Sequence, residues 1–328
     1  MSHDPIKLPK DSRPKLIVVI DTEEEFNWDA PATREETSVN AMDYVHRVQD
    51  IFDEYNIVPC YVVDYPVVSQ ENGYRALKTI FSDGRCEIGA HLHPWVSPPF
   101  DEELCPENTF PGNLNFAVEK EKLRVLTDQI EQVFGHRPTT YKAGRYGVGS
   151  NTTKILSELG YDIDLSLCPP VDYSGQRGPD FSDCHAEPFW FGDKGDMLEI
   201  PVSGAFVGWA GELSKPIYNF GMDLVKFRLP GIFSRISLVD RLMLSPEGFD
   251  SKDHIKLTQF LYNRGVRTFT WSFHSPTVVP GNTSYVKNEK DLENFLSMFR
   301  TYFDFFFNTL GGEATTPTKL KSQLRGLK

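Results

Sequence analysis

Apolar residues along this chain recur in two rhythms. Strand signals appear as LIVVI at 16–20, VPCYVV at 58–63, CEIGAH at 86–91, TTYKAG at 139–144, YDIDLSL at 161–167, MLEIPV at 197–202 and RTFTWSFH at 267–274. The first is a continuous apolar run, of the kind buried on both faces in a parallel sheet. Between most of them lie stretches with helical spacing, at 38–55, 67–81, 117–134 and 151–159, and a last one follows the final strand signal at 289–308. In the first of these, Ala41, Tyr44, Val45, Val48, Ile51 and Phe52 share one side. Two long polar loops, 95–115 and 168–195, interrupt the alternation. Strands alternating with helices predict an α/β fold around a parallel sheet. Right-handed crossovers can wind such units into a closed barrel or an open doubly wound sheet. There is no internal repeat and no linker. The expected organisation is an N-terminal extension (1–14), one domain (15–310) with an insertion at about 204–250, and a flexible polar tail (311–328).

Composition narrows the function classes. The chain has 328 residues, of which 40% are hydrophobic and 24% charged, enough for a sizeable core. A net charge of -12 argues against nucleic acid as a partner. Neither GxGxxG nor GxxxxGK[ST] follows the first strand, which removes the usual nucleotide-binding readings. No window approaches the length and apolarity of a transmembrane helix, and the first residues lack an apolar stretch of signal-peptide length. Cys60, Cys86, Cys105, Cys168 and Cys184 are scattered and fit reduced thiols, so a cytoplasmic location is expected. The segment 217–243 mixes large apolar residues with Lys226, Arg228, Arg235 and Arg241. Peripheral contact with a membrane surface is one reading of it. An inserted helical pair on the domain, interrupted at Pro230, is the stronger one.

Three polar clusters stand where strands end. IDTEEEFNW supplies Asp21, Glu23, Glu24 and Glu25; EIGAHLHPW supplies His91 and His93; FTWSFHSPT supplies His274. Singly, each has a plain reading: a solvated acidic turn, two hydrogen-bonded loop histidines, a capping histidine. In an extended segment, however, residues two apart face the same way, so His91 and His93 form a candidate metal pair. All three clusters fall at the C-terminal ends of predicted parallel strands, the face that carries chemistry in barrels of parallel strands. A carboxylate with two histidines leaves positions open on a tetrahedral ion, the pattern of a catalytic site. A water there is acidified to a pKa of roughly 7. A further carboxylate can accept its proton and a further histidine can protonate a leaving group, which together suffice to hydrolyse an amide or ester.

These residues resemble the polysaccharide deacetylases of the NodB-homology group, within the glycoside hydrolase/deacetylase superfamily, over roughly 15–310. The resemblance implies an irregular (β/α)7 barrel with long loops at the C-terminal face of its strands. The family's first motif, TFDD or a DxD/DxE variant, corresponds to IDTEEEF and implies that Asp21 is the general base and Glu23 a metal ligand. Its second, H[ST]xxHP, is altered here to AHLHPW, with histidines two apart rather than four and Trp95 at the fourth position. A variant subgroup with HLHPW would use both His91 and His93 as ligands. The third motif, RxPY, resembles YKAGRYG; Lys142 stands where the arginine would be and Arg145 follows, and either could pair with Asp21. Asp164 and Ser166 fit the fourth motif loosely, and His274 in SFHSP fits the fifth, whose histidine is the general acid.

The implied cofactor is one divalent ion, Zn²⁺ in the first instance. The implied reaction is removal of an acetyl group from an N-acetylated carbohydrate or glycan intermediate in surface polysaccharide metabolism, and the missing export signal suggests a nucleotide- or lipid-linked intermediate. Trp95, Tyr146 and Asp164 are the expected substrate contacts, with Trp190 and Trp209 as further aromatics able to stack on sugar faces. Two alternatives remain at this stage: a metal-independent glycosidase on a related barrel, needing a second acid such as Asp164 from another strand, and a catalytically silent carbohydrate-binding relative.

Overall fold

Residues 4–210, 213–223 and 238–327 are described by a computed structural model of the chain. All seven expected strands are present and parallel: β1 (Lys15–Thr22), β2 (Cys60–Val63), β3 (Glu87–Leu92), β4 (Thr140–Ala143), β5 (Ile163–Asp164), β7 (Met197–Glu199) and β10 (Thr268–His274). Their spatial order is β10-β1-β2-β3-β4-β5-β7, with β6 (Phe189–Phe191) added antiparallel outside β7. The ladder does not run on from β7 to β10. Single hydrogen bonds bridge the gap instead: Ser203 N–H to the Thr270 carbonyl at 3.4 Å, Leu244 N–H to Ser203 at 2.8 Å and Ser272 N–H to Leu244 at 3.1 Å. The result is the irregular (β/α)7 barrel that the strand pattern and the resemblance imply.

Period two decides what the barrel encloses. Ile17, Val19, Cys60, Val62, Ile163, Leu165, Leu198 and Ile200 form the inner cluster, whereas Leu16, Val18, Ile20, Tyr61, Tyr141, Phe269, Trp271 and Phe273 belong to the cluster beneath the helices. Continuing the inner parity along β1 beyond Val19 gives Asp21 and then Glu23. The barrel is therefore apolar at the N-terminal ends of its strands and acidic at their C-terminal ends.

The helices are α1 (His46–Glu54), α2 (Tyr65–Ser69), α3 (Glu71–Ser82), α4 (Phe116–Phe134), α5 (Thr152–Leu159), α6 (Ser214–Asp223), α7 (Ser251–Asn263) and α8 (Glu289–Phe303). The stretch expected as one helix at 38–55 opens with a 3-10 turn at Asn40–Tyr44. That expected at 67–81 is broken at Gln70, whose extended backbone (φ -115°) ends α2 and starts α3. The sequence reading missed α7, although Asp250 and Asp253 form a capping box at its start. The insertion contains an antiparallel pair, β8 (Gly204–Val207) with β9 (Asp240–Met243), and α6. Lys226, Arg228, Pro230 and Arg235 lie outside the described residues.

The C-terminal stretch corrects the expectation of a flexible tail. β11 (Glu313–Ala314) pairs with the start of β1, and α9 (Pro317–Arg325) follows, its N-terminus capped by Thr316. Leu320 and Leu324, one turn apart, are buried against Ile17, Val19 and the other inner residues and close the barrel floor. Ile6 and Leu8 of the N-terminal extension pack on the same cluster. Among the described residues no helix is long and apolar enough to cross a membrane.

Candidate active site

Strand register brings the three polar clusters together. In the β1–β10 ladder Asp21 stands opposite His274, and in the β3–β4 ladder His91 stands opposite Lys142. Asp21, Glu23, His91, His93 and Lys142 are all buried, and His274 is partly so. All but Lys142 line one cavity of about 410 Å³ at the C-terminal mouth of the barrel.

Each histidine has its tautomer set by an acceptor behind it. His91 Nδ1–H donates to the Lys142 carbonyl at 3.0 Å, His93 Nδ1–H to Glu24 Oε2 at 2.8 Å, and His274 Nδ1–H to Glu247 Oε2 at 2.6 Å. A carbonyl or carboxylate can only accept, so all three rings present Nε2 to the cavity. Glu23 Oε2 lies 3.5 Å from His91 Nε2 and 3.4 Å from His93 Nε2.

This donor set fits a divalent cation. Ligand atoms about 2.0–2.1 Å from a tetrahedral ion are about 3.3–3.4 Å from each other, close to the separations of Glu23 from the two rings. The other Glu23 oxygen, Oε1, is buried without a hydrogen-bond partner. Burial and then His93 push the His91 ring well below its ordinary pKa, and burial takes His93 down to about 4, so both rings are neutral. Burial, then Glu24 and Asp21, push the Glu23 carboxyl well above its usual range, a cost that a cation would remove. Glu24, Asp64 and His93 also cluster. There, however, Asp64 accepts backbone N–H groups from Glu24 and Val67, both at 2.9 Å, and His93 Nδ1 is already bonded. In that cluster Glu24 and Asp64 are engaged in holding His93 and the backbone after β1.

Asp21 is held from another side. Lys142 Nζ donates to its two oxygens at 2.6 and 2.7 Å and to Ser272 Oγ at 2.9 Å. Burial alone would raise the Asp21 pKa; the neighbouring positive charges, Lys142 foremost, outweigh it and bring the carboxyl below its usual value. His274 Nε2 is 3.6 Å from Asp21 Oδ2. Burial lowers the His274 pKa, but the Glu247 carboxylate, and after it Asp21, more than offset this and leave the ring above its ordinary range.

Several expected site residues are placed differently. Of the two cations considered for Asp21, Lys142 makes the pair. The Arg145 guanidinium points elsewhere, to Thr109 Oγ1 and Gln176 Oε1. Asp164 does not reach the cavity. Ile163 and Leu165 hold the inner parity on β5, so Asp164 faces outward beside Glu199 and accepts from Ser166. Trp95 and Tyr146 do line the cavity, whereas Trp190 and Trp209 do not. Trp95 is also a support, stacking on His93 at 4.2 Å and donating to Glu24 Oε1 at 2.8 Å. The sequence reading missed Glu247, Asp64 and the supporting role of Glu24. It also missed Phe26, whose ring meets His93 edge-on, and Trp28, which meets His274 the same way. Alternation past the end of β1 would have flagged Glu24 as facing opposite to Glu23; nothing local marks Glu247.

No protein-family model matches the chain, and no curated protein matches it in sequence. Solved structures do share the fold. A protein from Mycobacterium smegmatis, provisionally named a polysaccharide deacetylase, superposes with a TM-score of 0.57 at 16% identity, over 99% of this chain and 96% of that one. An allantoinase, PuuE, gives 0.57 at 15% identity, over 98% and 94% of the two chains. A 4-alpha-glucanotransferase from Thermococcus litoralis gives 0.54 at 13% identity, over 95% of this chain and 40% of that chain. At these identities the likeness is one of fold.

Proposed function

We propose that the chain is a metal-dependent hydrolase that removes an acetyl group from an N-acetylated carbohydrate, with Glu23, His91 and His93 holding one divalent ion, Zn²⁺ in the first instance. The observation that carries this reading is the meeting, in one cavity, of that donor set with the Lys142–Asp21 and Glu247–His274 pairs. A divalent ion there would polarise the acyl oxygen and acidify a water. Asp21, kept ionised by Lys142, takes the proton of the attacking water. His274, kept charged by Glu247, gives its Nε2 proton to the departing amine nitrogen. Phe26, Trp28, Trp95 and Tyr146 line the cavity, exclude water and offer ring faces to a sugar.

The glycosidase alternative is disfavoured by the same geometry. The carboxylates lining the cavity, Asp21 and Glu23, come from one turn, and Asp164 is turned away. The shared fold of an allantoinase makes a small cyclic amide a sensible control substrate. The test is a panel of N-acetylated amino sugars with that cyclic amide, read by acetate release and by ring opening. Zinc-dependent acetate release that disappears in Asp21→Asn supports the proposal. Ring opening without acetate release, or no metal-dependent turnover on any member, counts against it.

A further inference from the structure

The turn that follows β4 is strained and aims a cation at the substrate cavity. Arg145 (φ 55°) and Tyr146 (φ 57°) both sit in the left-handed region, where side chains other than glycine rarely settle. Neighbouring contacts hold the turn in place. Gly144 has no room for a Cβ against His93 and the Leu92 carbonyl, and Gly112 N–H donates to the Gly147 carbonyl at 2.7 Å. Consecutive strained residues on the wall of a cavity point to a role for the side chains so displayed.

Arg145 is the one cation among the described residues lining that cavity, apart from the histidines. It is half-buried and everything holding it is neutral: Thr109 Oγ1, Gln176 Oε1 at 2.7 Å, and the ring of Phe110 with the guanidinium carbon 4.1 Å from its centroid. Lys142 and Lys122, also buried, each have a carboxylate, Asp21 and Glu102 respectively. Among the described residues no carboxylate pairs with Arg145. A half-buried guanidinium left with N–H groups to spare and no counter-charge is suited to a planar or tetrahedral anion. Lys142, the other buried cation near the cavity, is already neutralised by Asp21, so it is not free to take an anion.

We infer that Arg145 receives an anionic substituent of the substrate, a carboxylate or a phosphate, so that the preferred ligand is a small acidic acylamino sugar rather than a neutral glycan. This rests on the hydrolase reading for the identity of the sugar, but not for the preference in charge. A cavity of about 410 Å³ lies toward the lower end of the range for small-molecule sites, consistent with one ring and its substituents.

The test is calorimetric binding at neutral pH with zinc-loaded protein carrying His274→Gln, so that turnover does not obscure affinity. Three matched ligands are compared: N-acetylglucosamine, its 6-phosphate, and the corresponding N-acetylamino uronate. One of the two anionic ligands should bind at least tenfold more tightly than the neutral sugar, and the tighter one identifies the anion. Arg145→Met should abolish the preference and Arg145→Lys should recover part of it. Equal affinities for neutral and anionic ligands overturn the inference, as does a preference that survives Arg145→Met or no binding by any of the three. The comparison on unaltered Arg145 stands whether or not Arg145→Met folds. A charge preference without acetate release from the wild-type chain would leave this inference intact and refute the hydrolase reading.

Discussion

Lys142 Nζ bridges both carboxylate oxygens of Asp21 at 2.6 and 2.7 Å, across 121 residues of sequence and with both side chains buried. The pair is close to neutral as a unit, and each member is costly without the other. Lys142→Met is expected to destabilise the fold by about 3–5 kcal/mol, because it leaves a buried carboxylate uncompensated. Denaturant unfolding of the two proteins measures this. The double variant Asp21→Asn/Lys142→Met should recover much of the stability while remaining inactive. Equal stability of wild type and Lys142→Met would show that the pair contributes little.

Glu247 acts through His274. Replacing it with Gln removes the larger of the two charges that raise the His274 pKa and leaves Asp21 alone against burial, which lowers it. The basic limb of the rate profile should therefore move to lower pH, with roughly 10- to 100-fold loss of kcat at neutral pH. Steady-state rates across pH check this; an unmoved basic limb would separate Glu247 from proton donation.

Glu24 and Trp95 orient His93 through the 2.8 Å contacts at Glu24. Glu24→Gln is expected to weaken metal affinity by roughly 10- to 100-fold, the usual consequence of disturbing a ligand's outer partner. A competition titration with a chelating dye reads it.

How much of this was visible in sequence follows from the range of each signal. The first strand was legible as a continuous apolar run, and the other six as short β-forming segments, most of them set apart by helical patterns. The histidine pair was legible because alternation puts His91 and His93 on the same side. Asp164 was misassigned because parity was not carried along β5, where Ile163 and Leu165 take the inner positions. Glu247 was invisible because it meets His274 only through the path of a loop 27 residues upstream. The tail misled because its polar composition hid Leu320 and Leu324, spaced to plug the barrel floor.

That plug gives a stability prediction. Leu320 is fully buried, so Leu320→Ala should cost about 2–5 kcal/mol in a core that cannot easily collapse around the gap. A shift in the denaturation midpoint checks it, and a change within about 0.5 kcal/mol, as for ordinary surface positions, would mean that α9 does not close the barrel.

His254 supplies a pH dependence remote from the site. Its Nε2 bonds the Ser245 carbonyl at 2.7 Å and its ring packs edge-on against Trp271. Burial takes its pKa from 6.5 to about 4. The unfolded chain therefore binds a proton more readily, and this contribution to stability is complete above pH 6.5 and declines as pH falls toward 4. The decline amounts to about 3 kcal/mol. Other buried groups titrate in this window, so the informative quantity is the wild-type curve minus that of His254→Gln, which should fall with decreasing pH over this interval. A flat difference would contradict it.

The most direct test of the site is metal stoichiometry on purified protein, by elemental analysis after dialysis against buffer with trace zinc. About one divalent ion per chain is expected in the wild type, in Asp21→Asn and in His274→Gln, and close to none in His91→Ala or His93→Ala. An ion that persists in both histidine variants, or a wild-type chain that takes up none, would contradict a metal centre built from Glu23, His91 and His93.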